Sequence, residues 1–412
     1  MPASYASGVS VTGMGVISSA GVGLTDNWKT LCEGRSRAAA DPLLGNAPSS
    51  MSCRVPPFDE RALLPDDVVW RTDRFIHLAL VAAREAVADA AIDRDGWDPA
   101  RIAVVMGVVT SSTEHFATHY AALAAGRERR ISPLSMPRSL PNMAAAEISR
   151  DFGTHGPTFC VSTACASGST AISTAALLLG AGLADVVIAG GAEAASDRMV
   201  HAMFAQMRTL SQRGEDPAAA SRPFDRDRDG FVLGEGAAVM VLERTEDARR
   251  RGARVRARLT GHGSSSDAHH STGPHPDGVG AELAIRNALD MAGNGTADID
   301  HINAHGTSTR ANDLMEGRVL DRLFPQAPPV TANKGVIGHC LGAGGAIEAV
   351  FTVLSLEHQL IPPTANHLGQ DPGLSLDMVT GSPRTASLER ALSTSFGFGG
   401  QNCALLFERN AP

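Results

Sequence analysis

Between Gly156 and Ala184 the chain carries no charged residue, and within this run, in Val161-Ser162-Thr163-Ala164-Cys165-Ala166-Ser167-Gly168, stands a cysteine. The run is long enough to cross a bilayer. Its many Ser, Thr and Gly residues and its cysteine argue instead for a helix buried on every side inside a large core. Ala166 to Leu179 is rich in Ala, Leu and Ser, contains no Pro, and predicts a helix that starts at the cysteine. Cys165 then sits where the helix macrodipole favours negative charge. A thiol becomes a strong nucleophile only when its thiolate is stabilised, by a helix N-terminus, an imidazole, or both.

Two histidine loops lie far downstream: Asn303-Ala304-His305-Gly306-Thr307-Ser308-Thr309 and Asn333-Lys334-Gly335-Val336-Ile337-Gly338-His339-Cys340-Leu341-Gly342. An isolated cysteine is ordinarily one more buried thiol. Here both histidines stand among glycines and small or hydroxyl residues in loops, where functional side chains concentrate. Lys334 lies in an otherwise uncharged loop and Glu348 stands alone between Gly344 and Leu354. An uncharged setting penalises a lone ion, so the two are expected to pair.

Length and patterning allow two α/β halves. Pro157 to Leu179 reads as strand, loop with a reactive residue, and small-residue helix; Pro329 to Leu354 repeats that order, with Ala343-Gly344-Gly345-Ala346 opening the helix. Ile102 to Gly107 and Ile299 to Gly306 are both short apolar strands ending in a Gly-containing loop. Repetition of this kind predicts two similar halves. The boundary falls near Arg249-Arg250-Arg251-Gly252, giving units 1–253 and 254–412. Loops at the carboxyl ends of strands converge in doubly wound sheets, so residues 165, 305 and 339 can meet between the halves.

With 43% hydrophobic and 19% charged residues the chain can bury a large core. A net charge of −8 disfavours a nucleic-acid partner. The six cysteines are scattered without a C-x-x-C pair, which suits reduced thiols in a cytoplasmic protein and no metal centre. Met1 to Gly13 has no basic region before an apolar stretch, so no secretory leader is expected, nor a membrane anchor. Three motifs mislead. Gly13-Met14-Gly15 lacks the third glycine of a dinucleotide fingerprint. Asp225-Arg226-Asp227-Arg228-Asp229-Gly230 has Gly236 where a calcium loop needs a bidentate glutamate, and reads as a structural charge network near the site. His269, His270 and His275 match no zinc spacing.

Together with Val11-Thr12-Gly13-Met14-Gly15-Val16, Pro223-Phe224-Asp225-Arg226-Asp227-Arg228-Asp229-Gly230-Phe231 and Ser395-Phe396-Gly397-Phe398-Gly399-Gly400, the cysteine and histidine segments resemble the β-ketoacyl-acyl carrier protein synthases, elongating condensing enzymes of the thiolase superfamily. The resemblance covers nearly the whole chain. It implies the thiolase fold, two mixed-sheet halves in αβαβα layers, and an acyltransferase that condenses an acyl chain on Cys165 with a malonyl-type thioester. It gives His305 and His339 the stabilisation of the enolate, and Lys334 and Glu348 the orientation of His339 and of the site's hydrogen bonds. The backbone N–H groups of Cys165 and Phe398 become the oxyanion donors, with Phe398 as a gate. Thr272, Thr307 and Thr309 would contact pantetheine, and Thr110 would line the acyl pocket. Arg127, Arg129, Arg130 and Arg208 would dock an acyl carrier protein. No cofactor is implied. A homodimer is the usual assembly. Thr309-Arg310-Ala311-Asn312-Asp313 is also similar to ketosynthase subunits of bacterial type II polyketide systems, in which a heterodimer with a chain-length subunit forms. Competing readings are a non-catalytic subunit of such a heterodimer, which typically lacks the cysteine, and a cysteine hydrolase, which leaves the second histidine loop unexplained. Two departures, the turn Gly107-Val108-Val109-Thr110-Ser111-Ser112 and Gln401 after Gly400, bear on the acyl chain accepted.

Overall fold

The computed structural model describes residues 8–92, 96–111, 113–195 and 197–410. Met1 to Ser7 and Ser112 lie outside these residues. Besides a short strand Gly21–Val22 paired to β1, ten strands make up the main sheet among the described residues: β1 (Val9–Ser18), β2 (Ile102–Gly107), β3 (Thr158–Val161), β4 (Val186–Ala194), β5 (Glu235–Arg244), β6 (Ala257–Ser266), β7 (His301–Asn303), β8 (Val330–Thr331), β9 (Arg390–Gly397) and β10 (Gln401–Arg409). The first five run in the order β3-β2-β4-β5-β1 and the last five in the order β8-β7-β9-β10-β6. Each set pairs its first three strands in parallel and adds two antiparallel strands. The sequence repeat is therefore a repeat of topology. The two sets join where β1 meets β6 antiparallel, over Val9↔Leu259 to Val11↔Ala257.

Helix α1 (Arg74–Asp89) covers the outer face of the first set. Helix α2 (Ser167–Gly180) packs on β2 and β4, α3 (Val279–Ala292) covers β6 and β10 of the second set, and α4 (Leu341–His358) packs against α2, β5 and β9. The α2–α4 pair forms the middle layer, and α4 is buried from Leu341 to Leu356. Its small residues explain the fit: a Cβ on Gly168 would stand 2.6 Å from the Ala346 nitrogen. The Gly13-x-Gly15 motif has the same origin. A Cβ at either glycine would come within 2.1 Å of a carbonyl oxygen of α1, Ala86 or Ala82, so the spacing serves helix–strand packing. Gly261 and Gly263 on β6 face Ala288 and Ala284 of α3 in the same way. The uncharged run divides into β3, the Cys165 turn and α2. Among the described residues no helix is long and apolar enough to cross a membrane.

Candidate active site

Five of the residues expected to act lie just beyond the carboxyl end of a strand: Cys165 after β3, His305 after β7, Lys334 and His339 after β8, and Phe398 after β9; Glu348 lies within α4. The Cys165 turn is strained. Ala164 holds φ 48, a left-handed conformation that a residue with a side chain adopts at a cost. Ser167 holds it there, its Oγ accepting from the Thr163 N–H at 2.9 Å and donating to the Ala164 carbonyl at 2.6 Å. Helix α2 begins at Ser167, one residue after the expected Ala166, so the cysteine precedes the helix instead of opening it.

Sγ of Cys165 lies 3.2 Å from Nε2 of His339. The Leu341 N–H donates to His339 Nδ1 at 3.3 Å, so the ring carries its proton on Nε2, facing the sulfur. His305 is built alike from a different donor. Lys334 Nζ stands 3.3 Å from its Nδ1, donates to its carbonyl at 2.7 Å, and makes a short ion pair with Glu348. The three ammonium hydrogens are thereby all used. The two imidazoles meet edge to face, centroids 5.6 Å apart. Burial, reinforced by the Lys334 charge, holds both well below the usual histidine range, so both are neutral donors at neutral pH. Lys334 thus contacts His305, in keeping with the hydrogen-bonding part of its expected role, while His339 is held by the helix N-terminus instead of by Lys334.

The thiol departs from expectation as well. Burial pushes Cys165 up to about 11, against the Lys334 charge and the N–H groups of Phe398 and Cys165, which lower it. The resting group is a thiol. Those two N–H groups nevertheless point at the sulfur, where an acyl oxyanion would need donors.

A cavity of about 320 Å³ reaches Cys165, His305 and His339. Phe398, Thr272, Thr307 and Thr309 line it, the two last hydroxyls 2.9 Å apart, and Arg208 stands on its rim. Thr110 does not line it: its hydroxyl donates to Glu193 at 2.5 Å, because the turn after β2 faces a buried carboxylate. Arg127, Arg129 and Arg130 sit on an exposed turn away from the cavity lining. The Asp225–Asp229 run is a charge network: buried Arg228 reaches Asp371 at 2.7 Å and Asp313 at 3.7 Å, and Asp229 borders the cavity. His270 and His275 accept backbone N–H groups of their own loop, and no metal-binding cluster occurs among the described residues.

Two supporting carboxylates escape sequence reasoning. Glu316, on the helix Arg310–Leu323, accepts the N–H groups of His305 and Gly306 at 2.8 Å each and fixes that loop. Glu193 is the last residue but one of β4 and accepts from Val109, Thr110 and Gly342. Burial raises both to about 7. A lone carboxylate in the apolar run Val186–Ala195 was a signal of the kind that picked out Glu348; Glu316 hides in a helix whose charges read as a solvated face.

Models of the β-ketoacyl synthase N-terminal and C-terminal domains match residues 6–248 and 256–367. The 3-oxoacyl-[acyl-carrier-protein] synthase 2 of Synechocystis sp. is 40% identical over 97% of this chain and 98% of its own length, and that of Vibrio cholerae 39% identical over 97% and 99%. A crystal structure of a β-ketoacyl synthase from Burkholderia phymatum superposes with a TM-score of 0.93 at 32% identity, covering 98% of this chain and 100% of that one. The ishigamide ketosynthase/chain length factor gives 0.90 at 34% identity over 98% and 99%. The layered architecture is the thiolase fold. Kinship at this identity over almost the whole length, in both halves, leaves one conclusion: the chain belongs to the β-ketoacyl synthase family.

Proposed function

We propose that this protein is a β-ketoacyl-acyl carrier protein synthase in which Cys165 carries the growing acyl chain and the histidines act on a malonyl-carrier thioester. One observation carries the division of labour: each imidazole has its Nδ1 occupied by a donor, which leaves the proton on Nε2, that of His339 3.2 Å from the sulfur, and neither ring free to act as a base. Acyl transfer to Cys165 proceeds by thiol exchange, the thiol proton leaving with the carrier thiol, while the Cys165 and Phe398 N–H groups hold the oxyanion. Loss of carbon dioxide from the malonyl unit then puts negative charge on its thioester oxygen, which the Nε2–H groups of His305 and His339 stabilise. The resulting carbanion attacks the acyl carbonyl and Cys165 leaves. The product is a β-ketoacyl chain two carbons longer on the carrier.

Thr272, Thr307 and Thr309 bind the pantetheine arm along the cavity, with Phe398 at its inner end as the gate. Arg208 at the rim and Arg127, Arg129 and Arg130 guide an acidic carrier against the chain's own net charge of −8. The nucleophile belongs to the unit 1–253 and the histidines to the unit 254–412. A heterodimer with a chain-length subunit is favoured over a homodimer only by the Thr309–Asp313 segment and by the likeness to the ishigamide ketosynthase/chain length factor. The protein works in the cytoplasm on carrier-bound chains. Incubation with a panel of acyl-carrier thioesters, followed by intact mass and peptide mapping, should place the acyl adduct on Cys165. An adduct on Cys160 or Cys340, or none with any chain, overturns the reading.

A further inference from the structure

Glu193 is fully buried, and no ion pair reaches it among the described residues. Four neutral donors do. Its Oε1 accepts from the Thr110 N–H at 3.1 Å and the Thr110 hydroxyl at 2.5 Å; its Oε2 accepts from the Val109 N–H at 3.1 Å and the Gly342 N–H at 3.2 Å. Gly342 is the second residue of α4, and the N–H of the first, Leu341, sets the proton position of His339. One carboxylate therefore bridges the turn after β2 and the helix end that orients a catalytic histidine.

We propose that Glu193 is a positioning residue for decarboxylation: as an anion it ties the Val109–Thr110 turn to the first turn of α4 and so keeps the Leu341 N–H on His339 Nδ1. This rests on the role given to His339 above. The requirement for an anion follows from the partners, since all four groups donate. An amide would set its own NH₂ against N–H donors, and a protonated acid would lose acceptor capacity at one oxygen. Burial raises Glu193 to about 7 while the Thr110 hydroxyl and the backbone donors lower it, so its charge changes in the working range. The titratable groups around it are Cys160 and Cys165, both of which feel its charge, His339 through Leu341, and Glu235 on the neighbouring strand, which Arg74 neutralises. Glu316 and Glu348 are also raised to about 7 by burial, so an acid limb near neutrality does not by itself identify Glu193.

The test separates malonyl-carrier decarboxylation from self-acylation of Cys165 and follows each against pH in the full-length protein. Glu193→Gln should lower kcat for decarboxylation about tenfold or more, leave KM for the malonyl thioester within about twofold, and leave self-acylation within about threefold. Thr110→Val, nearly isosteric, removes one donor to the carboxylate; the acid is then less favoured as an anion, and the acid limb of decarboxylation should move to higher pH. Equal loss of both half-reactions in Glu193→Gln, or an unmoved acid limb in Thr110→Val, overturns the proposal. Where Glu193→Gln fails to fold, the Thr110→Val profile decides. A wild-type protein that never acylates Cys165 counts against the assigned function instead, since the Glu193 argument concerns only the other half-reaction.

Discussion

The turn after β3 and the turn after β8 occupy matching places in two halves of identical topology, yet they carry opposite chemistry. The first presents a thiol, Cys165, the proposed acceptor of acyl groups, on a backbone strained at Ala164. The second presents a hydrogen-bond donor, His339, with the left-handed strain at Leu341, φ 41. Both lead into the small-residue helices of the middle layer, and because those helices approach so closely the two turns face each other at 3.2 Å. The repeated topology supplies the geometry, and the two copies differ at their turns while the close glycine packing beneath is alike.

That contrast can be broken from either side, and the largest effect belongs to the nucleophile. Cys165→Ala should lower condensation about a thousandfold or more and abolish the acyl adduct, while malonyl-carrier decarboxylation persists. If decarboxylation vanishes too, the turns are not separable. Next come the donors: His305→Ala or His339→Ala should slow decarboxylation about a hundredfold or more and self-acylation far less, read by carbon dioxide release and intact mass. Equal loss of both steps would give histidine the role of thiol base. A smaller effect sharpens the likeness of the halves. Gly13→Ala and Gly261→Ala each drive a Cβ into a helix carbonyl at 2.1 Å, and each should cost about 1–3 kcal/mol in denaturant unfolding. A tolerant site in one half would show that the packing has diverged as well. Smallest is the surface asymmetry. Reversing Arg129 and Arg130 to Glu should raise KM for carrier-bound substrate several-fold and weaken its salt dependence, leaving small pantetheine thioesters unaffected. Equal change with both substrate types would remove these arginines from docking.

Much of the site was legible in the sequence because its residues break local rules. Cys165, His305 and His339 stand in loops of glycine and hydroxyl residues, and Lys334 and Glu348 in uncharged surroundings; each is hard to explain as packing. The repeat of strand, turn and small-residue helix announced the two halves. What the chain order concealed was direction. Lys334 is near His339 in sequence, but the fold turns its ammonium toward His305, which comes from another strand. The sequence likewise could not show that the Thr110 hydroxyl is spent on Glu193, far away in the chain. The thiol's environment was misjudged for a related reason: a helix start and an imidazole are visible in sequence, while the degree of burial that outweighs them is a property of the assembled layers.

The occupied Nδ1 atoms have a thermodynamic consequence. In the proposed reaction neither histidine is free to take up a proton, and loading Cys165 trades one thioester for another and one thiol for another, an exchange close to isoenergetic in either direction. Such a port can run backward and return a chain to its carrier. Commitment then rests with the gas that escapes: once carbon dioxide has left the histidine side, the forward direction is set, and the reversible cysteine is drawn along by a step it does not itself perform.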